Sequence, residues 1–195
     1  DAAAVVRSMS SVAHRTDILE RGVTAHELGR ARHSGELLRI RRAWYAVPEA
    51  PSPIVRAVRV GGALTGPSAA QHRGLWTVDD GRLHVSVARN ASRLRSERTR
   101  FLDLSADMES RVCVHWRKSP GANRQIICTP VDMVLHALEC QNDERAIAIA
   151  DSALNRELVT LDELREATRD LPRRYGRAIA RADREVSRAR RRSSG

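Results

Sequence analysis

The sequence predicts an α+β protein, with an N-terminal winged helix-turn-helix followed by a mixed α/β domain whose C-terminal half is helical. Three observations carry this. Residues 1 to 47 run through short helix patterns punctuated by glycine and finish in a hairpin pattern. Between 83 and 116, two segments alternate apolar and polar residues with the period of half-buried strands. After Thr129-Pro130 the periodicity is helical to the end of the chain.

A first apolar helix is expected over Ala2 to Met9 and a second over Arg15 to Glu20, stopped by Gly22, which suits a left-handed cap. His14 stands where a hydroxyl cap is usual, so the second helix is expected to start loosely. Thr24 and Glu27 form a Thr-x-x-Glu capping box, opening a third helix that runs to about Ser34. Leu37 to Ile40 and Trp44 to Val47 then read as a hairpin around Arg41-Arg42-Ala43. Pro48, Pro51 and Pro53 mark a linker at 48–53, dividing a domain at 1–47 from one at 54–192. In the second domain, Ile54, Ala57 and Val58 give a helix ending at Gly61-Gly62, and Pro67 opens another that closes at Gly74. Leu83, Val85 and Val87 alternate with His84 and Ser86; Val112, Val114 and Trp116 alternate with Cys113 and His115. Both read as strands with the polar set outward, and Ile126-Ile127 as a third strand. Helices are expected from Thr129-Pro130, over 143–154, over 160–168, and from Pro172 into an arginine tail.

The 195 residues carry 34 basic and 24 acidic side chains, a net charge of +10. Lys118 is the single lysine. A phosphate-binding P-loop needs a Gly-Lys pair, and a restriction-type nuclease core needs an acid two residues before a lysine; Trp116 stands there instead. Charge comes in blocks: net +2 over 1–50, +7 over 51–125, −6 over 126–170 and +7 over 171–195. That mosaic suits a polyanion surface together with an acidic patch that meets a basic partner or the chain's own arginines. Cys113, Cys128 and Cys140 are odd in number and lack a Cys-x-x-Cys, so a reducing cytoplasm is the expected location. No apolar run approaches the roughly 18 residues of a membrane span.

At 100° per residue the third helix puts Thr24, Leu28 and Ala31 on one side and His26, Arg30 and His33 on the other. The second face offers hydrogen-bonding, basic side chains of the kind a helix carries into a major groove. On the hairpin, Leu38 and Ile40 are expected to point inward, leaving Arg39, Arg41 and Arg42 for phosphates or a minor groove. The plainer reading of the helix is a solvated face. Arg93, Arg95, Arg98 and Arg100 form either a solvated loop, a second DNA contact or a latch onto the acidic block around Asp143, Glu144 and Asp151. Those three acids are the candidate contacts for a basic protein partner. Arg181, Arg184 and Arg188 share a helix face that follows a phosphate backbone or is merely exposed. His84, Cys113, His115 and Asp103 lack the short spacing of zinc ligands, and no triad, dyad or Asp-x-Asp pair is recognisable. The expectation is therefore no metal, no cofactor and no catalysis.

The string Gly22-Val23-Thr24-Ala25-His26-Glu27-Leu28, continuing through Ser34-Gly35-Glu36-Leu37-Leu38-Arg39-Ile40-Arg41-Arg42-Ala43-Trp44-Tyr45-Ala46-Val47-Pro48, resembles the winged-helix domain of AbiEi-type antitoxins. Leu64-Thr65-Gly66-Pro67-Ser68-Ala69-Ala70-Gln71-His72-Arg73-Gly74-Leu75-Trp76 is similar to the family's small-residue helix, and Thr129-Pro130-Val131-Asp132-Met133-Val134-Leu135 to its Thr-Pro helix start. The resemblance implies a bacterial repressor that binds operator DNA, whose remaining domain counters a nucleotidyltransferase-like toxin. Many relatives continue into a domain like the very-short-patch-repair endonuclease. One departure is Ala43, where relatives place glycine at the hairpin turn; an alanine at positive φ is uncomfortable, so a different turn is expected. Double-stranded DNA and a cognate toxin are thus the expected partners. The alternatives are the targeting portion of a nuclease whose catalytic domain lies elsewhere, and a protein-interaction module that touches no DNA.

Overall fold

The computed structural model describes residues 1–104, 111–117 and 124–193, with the side chains of 117 and 184–193 outside the description. It confirms the α+β class. Two compact units emerge, and each draws on two stretches of chain: Asp1–Leu64 with Arg82–Ile127, and Thr65–Gly81 with Cys128–Gly195.

The first unit opens with α1 (Ala2–Ser8), where the Asp1 carboxylate accepts from the Ala3 N–H at 2.9 Å. β1 (Val12–His14), α2 (Arg15–Glu20), α3 (Ala25–His33), β2 (Leu38–Arg41) and β3 (Trp44–Ala46) follow. Their strands make an antiparallel sheet in the order β1-β3-β2. β1 has only three residues, too few to show a period, and so escapes sequence reading. Val6, Ile18, Leu28, Ala31, Leu37 and Val47 close a common apolar cluster beneath the helices. Its members all precede the proline cluster, so residues 1–47 possess a core of their own.

The prolines nevertheless do not divide the units. α4 (Ser52–Val60) begins inside the predicted linker, with Pro53 in its first turn where the missing N–H costs nothing. It packs on β2, β4 (Ala63–Leu64) and β5 (Leu83–Ala88), which ties it to the N-terminal segment. β6 (Val112–Arg117) completes a second sheet in the order β4-β5-β6, antiparallel then parallel. Its third strand is β4, not Ile126-Ile127; Ile127 makes a single bridge to Leu64, and the Leu64 N–H donates to the Ile126 carbonyl at 2.9 Å. Every residue from Leu83 to Val87 is buried, so the expectation of a half-exposed strand with His84 and Ser86 outward is wrong.

In the second unit the described elements are all helices: α5 (Gly66–His72), α6 (Pro130–Cys140), α7 (Asp143–Asn155), α8 (Leu161–Thr168) and α9 (Arg173–Ser193). Each of the three middle helices starts at a side chain accepting from a backbone N–H three residues on: Thr129 from Asp132, Asn142 from Arg145 and Thr160 from Glu163. α5 buries Ala69 and Ala70 against α6, whose Met133, Val134 and Ala137 are buried in turn. α9 buries Tyr175, Ala178, Ile179 and Ala182, the i, i+3, i+4, i+7 stripe of a helix with one covered face. Among the described residues, no helix is long and apolar enough to cross a membrane.

Candidate nucleic-acid interface

α3 is fixed at its start by a reciprocal box. The Glu27 N–H donates to Thr24 Oγ1 at 3.2 Å, while the Thr24 N–H and hydroxyl donate to Glu27 Oε2 at 2.8 and 2.7 Å. Those bonds, the backbone one first, hold the Glu27 carboxyl below the usual carboxylate range. Leu28 and Ala31 sink into the cluster of the first unit, whereas Thr24, expected on the same side, is the exposed N-cap. His26, Arg30 and His33 are exposed together on the other side, and Arg32, which the sequence pattern does not single out, is exposed as well, off that row.

The wing departs from its sequence pattern. Arg39 pairs with Tyr45 and Arg41 with Trp44, so Ile40 is an extra residue and the strict alternation breaks there. Leu38 is consequently 47% exposed, not inward, whereas Ile40 is buried. Arg39 and Arg42 are exposed. Arg41 is not: its guanidinium donates to the carbonyls of Arg59 and Val60 at 2.8 Å each and to that of Arg93 at 3.2 Å. Arg59 and Val60 end α4, so Arg41 supplies donors to helix-terminal carbonyls at the negative end of the dipole. Gly61 makes room, since a Cβ there would stand 2.9 Å from the Arg41 guanidinium carbon. Burial, with Arg95 adding its charge, lowers the Arg41 pKa. Ala43 takes the turn at φ 62°, so the wing keeps the glycine-type conformation in an alanine.

The arginine-rich segment is a strap and not a solvated loop. Glu97 is buried and ion-pairs with Arg56 of α4, with Arg56 Nε donating at 2.6 Å. Arg59 donates to the carbonyls of Glu97 and Arg98 at 2.8 and 3.0 Å. Arg95 pairs with Asp103 at 2.6 Å, so it is already engaged. Arg100 donates to the Arg39 carbonyl at 2.7 Å, fastening the strap to the wing, and its guanidinium lies over the Phe101 ring. Arg93 is exposed and joins Arg39 and Arg42 as a candidate phosphate contact.

His14 caps α2 after all. Its Nδ1 accepts from the Thr16 N–H at 3.3 Å, and its ring stands edge-on to Trp44. Burial, opposed by Asp17 and helped by Arg124, lowers the His14 pKa from 6.5. The cap requires a neutral imidazole, and the unfolded chain takes up the proton at higher pH than the folded one does. Stability contributed here is full above about pH 6.5 and is lost as pH falls from there through the folded-state pKa. His14→Asn keeps a capping oxygen without a titration. Thermal midpoints measured between about pH 7.5 and 5 should slope less in this variant, leaving the share of His72, whose pKa is also lowered by burial and Arg73. An unchanged slope would remove His14 from this account.

The acidic residues have a local explanation. Asp132, Asp143, Glu144, Asp162 and Glu163 occupy first turns of α6, α7 and α8, where negative charge meets the positive end of the dipole. Asp143 and Glu144 are exposed, whereas Asp151 is half-buried and accepts from Asn155 at 3.2 Å. Arg181 is exposed, and Arg184 and Arg188 lie outside the described side chains.

Two buried polar clusters have no counterpart in the sequence pattern. In the first unit His84 and His115 are 0% and 5% exposed and face each other, Nδ1 to Nε2, at 3.2 Å. In the second, the Thr65 hydroxyl lies 2.6 Å from His136 Nδ1 and 3.0 Å from Cys128 Sγ. Burial pushes the Cys128 thiol up to about 11, so it is protonated near neutral pH and is a poor nucleophile. No protein-family model and no curated protein matches the chain.

Proposed function

We propose that the first six elements form a winged helix that binds duplex DNA, and that the protein is a transcriptional repressor of the antitoxin kind acting on its own operon. The observation that carries this is the exposed row His26, Arg30 and His33 on α3, opposite its buried face, together with exposed Arg39 and Arg42 on the wing of the same unit. A helix so equipped can place donors against base edges while wing arginines hold phosphates. The element order helix–strand–helix–helix–strand–strand, with β3 between β1 and β2, supports the reading. The proposal gives the chain no catalysis of its own. For a toxin, the exposed acids Asp143 and Glu144 are the contacts we assign; changing both to lysine should slow association with a basic partner and reduce its salt dependence.

Anisotropy titrations of the full chain against its own upstream DNA and a scrambled duplex, at several salt concentrations, test the DNA reading. Replacing Arg39 and Arg42 together should weaken both duplexes alike and reduce the salt slope by about one unit for each phosphate that is no longer neutralised. Absence of affinity for either duplex at low salt, in folded protein, overturns the proposal. A second reading, a winged module that binds protein, is favoured by exposed apolar groups beside the wing: Leu38, with Phe101 at 75% and Leu102 at 59% exposure on the strap. That reading stands if DNA binding is absent and Phe101→Ser abolishes capture of a defined toxin partner.

A further inference from the structure

Parallel pairing of β5 with β6 sets His84 opposite Cys113 and Ser86 opposite His115. Paired residues in a parallel ladder project from the same side, as do residues two apart, so these four side chains form a two-by-two block on one face. Ligand atoms of His84, Cys113 and His115 all lie within 4.8 Å of one another. The block is buried at both histidines, and Ser86 Oγ, also buried, has no hydrogen-bond partner among the described residues.

We propose that His84, Cys113 and His115 bind a divalent transition-metal ion, with Zn²⁺ as the best match. Two imidazoles and a thiolate are the borderline-soft set that zinc takes, in contrast to the oxygen ligands of magnesium or calcium. The distances fit as well. Two nitrogens each about 2.0–2.1 Å from a tetrahedral zinc stand about 3.3–3.4 Å apart, and the two histidine nitrogens are 3.2 Å apart. In the ion-free state one of these nitrogens must donate its proton to the other. An ion between them needs both lone pairs, so on loading the donor ring shifts that proton to its other nitrogen and stays neutral, while the Cys113 thiol proton is released to solvent. Because loading releases a proton, affinity must fall as pH drops. The three ligands lie wholly in the first unit and on strands, which hold geometry better than loops do.

The test uses the full chain, stripped with a chelator and titrated first with Co²⁺ and then with Zn²⁺. The expected result is one equivalent of Co²⁺ with the sulfur-to-cobalt charge-transfer absorption that only a thiolate ligand gives, displaced by Zn²⁺. Cys113→Ser should reduce that band, and His84→Ala or His115→Ala should weaken Zn²⁺ by more than the roughly 10- to 100-fold lost with an outer-shell partner. Cys128→Ser should leave the cobalt spectrum intact. Should the ligand variants fail to fold, X-ray absorption of the zinc-loaded wild type decides, with nitrogen at about 2.0 Å and sulfur at about 2.3 Å expected. A folded wild type that takes up no stoichiometric metal, a zinc shell without sulfur, or a charge-transfer band at full strength in Cys113→Ser overturns the proposal.

Discussion

Arg30→Ala is expected to reduce affinity for the operator by about 5- to 150-fold while leaving the scrambled duplex nearly unaffected. Arg30 is the one member of the exposed α3 row whose planar fork can bond two acceptors of a guanine edge at once. Losing such a pair costs roughly 1 to 3 kcal/mol of discrimination. Its Cα sits one residue before buried Ala31, so the helix itself is fixed and the side chain is free to be removed without disturbing the core. The measurement is the ratio of the two dissociation constants at one salt concentration. An equal loss on both duplexes would make Arg30 a phosphate contact, and no loss on either would take α3 out of the groove.

The wing arginines should separate into two kinds, and Arg41→Ala carries the larger structural effect. It removes three hydrogen bonds from a charged donor to backbone carbonyls, two of them at the end of α4. We expect about 2 to 3 kcal/mol of lost stability, or a melting temperature lower by about 5 to 10 °C. Arg42→Ala, at an exposed position without such bonds among the described residues, should stay within about 0.5 kcal/mol of wild type. Arg41→Lys retains the charge but not the fork, so it should fall close to the alanine variant. In salt titrations of folded protein the order reverses: Arg42→Ala flattens the slope and Arg41→Ala does not. An Arg41→Ala protein as stable as wild type, with a flatter slope, would return Arg41 to the DNA surface.

Elements whose signal is local were legible in the sequence. The Thr24–Glu27 box and the Thr129 cap are each written within a single turn, and α3 accordingly buries Leu28 and Ala31 and exposes His26, Arg30 and His33 as its phase requires. What failed depends on pairing. The extra residue at Ile40 turned Leu38 outward and Arg41 inward, because register is set by the partner strand and is invisible in the strand's own alternation. His84 and His115 were placed outward because alternation identifies two faces and cannot tell whether the second is also covered. Their meeting with Cys113 needed the β5–β6 register, which no spacing between positions 84 and 113 encodes.

The interleaving of the two units has a consequence for how the chain is made. β4 is synthesised with the N-terminal segment, yet its partner β5 begins at residue 83 and β6 only at residue 112. α5 emerges next and must wait for α6, which starts at residue 130. On the ribosome, residues 1–47 can close their own cluster early, because their contacts are close in sequence. The edge of β4 and the small-residue face of α5 stay open until much later in translation. A stop codon placed after Leu64 would therefore not release a finished first unit. It would leave a strand without its ladder and an Arg41 without the Arg93 carbonyl it binds, the kind of exposed edge from which aggregation starts.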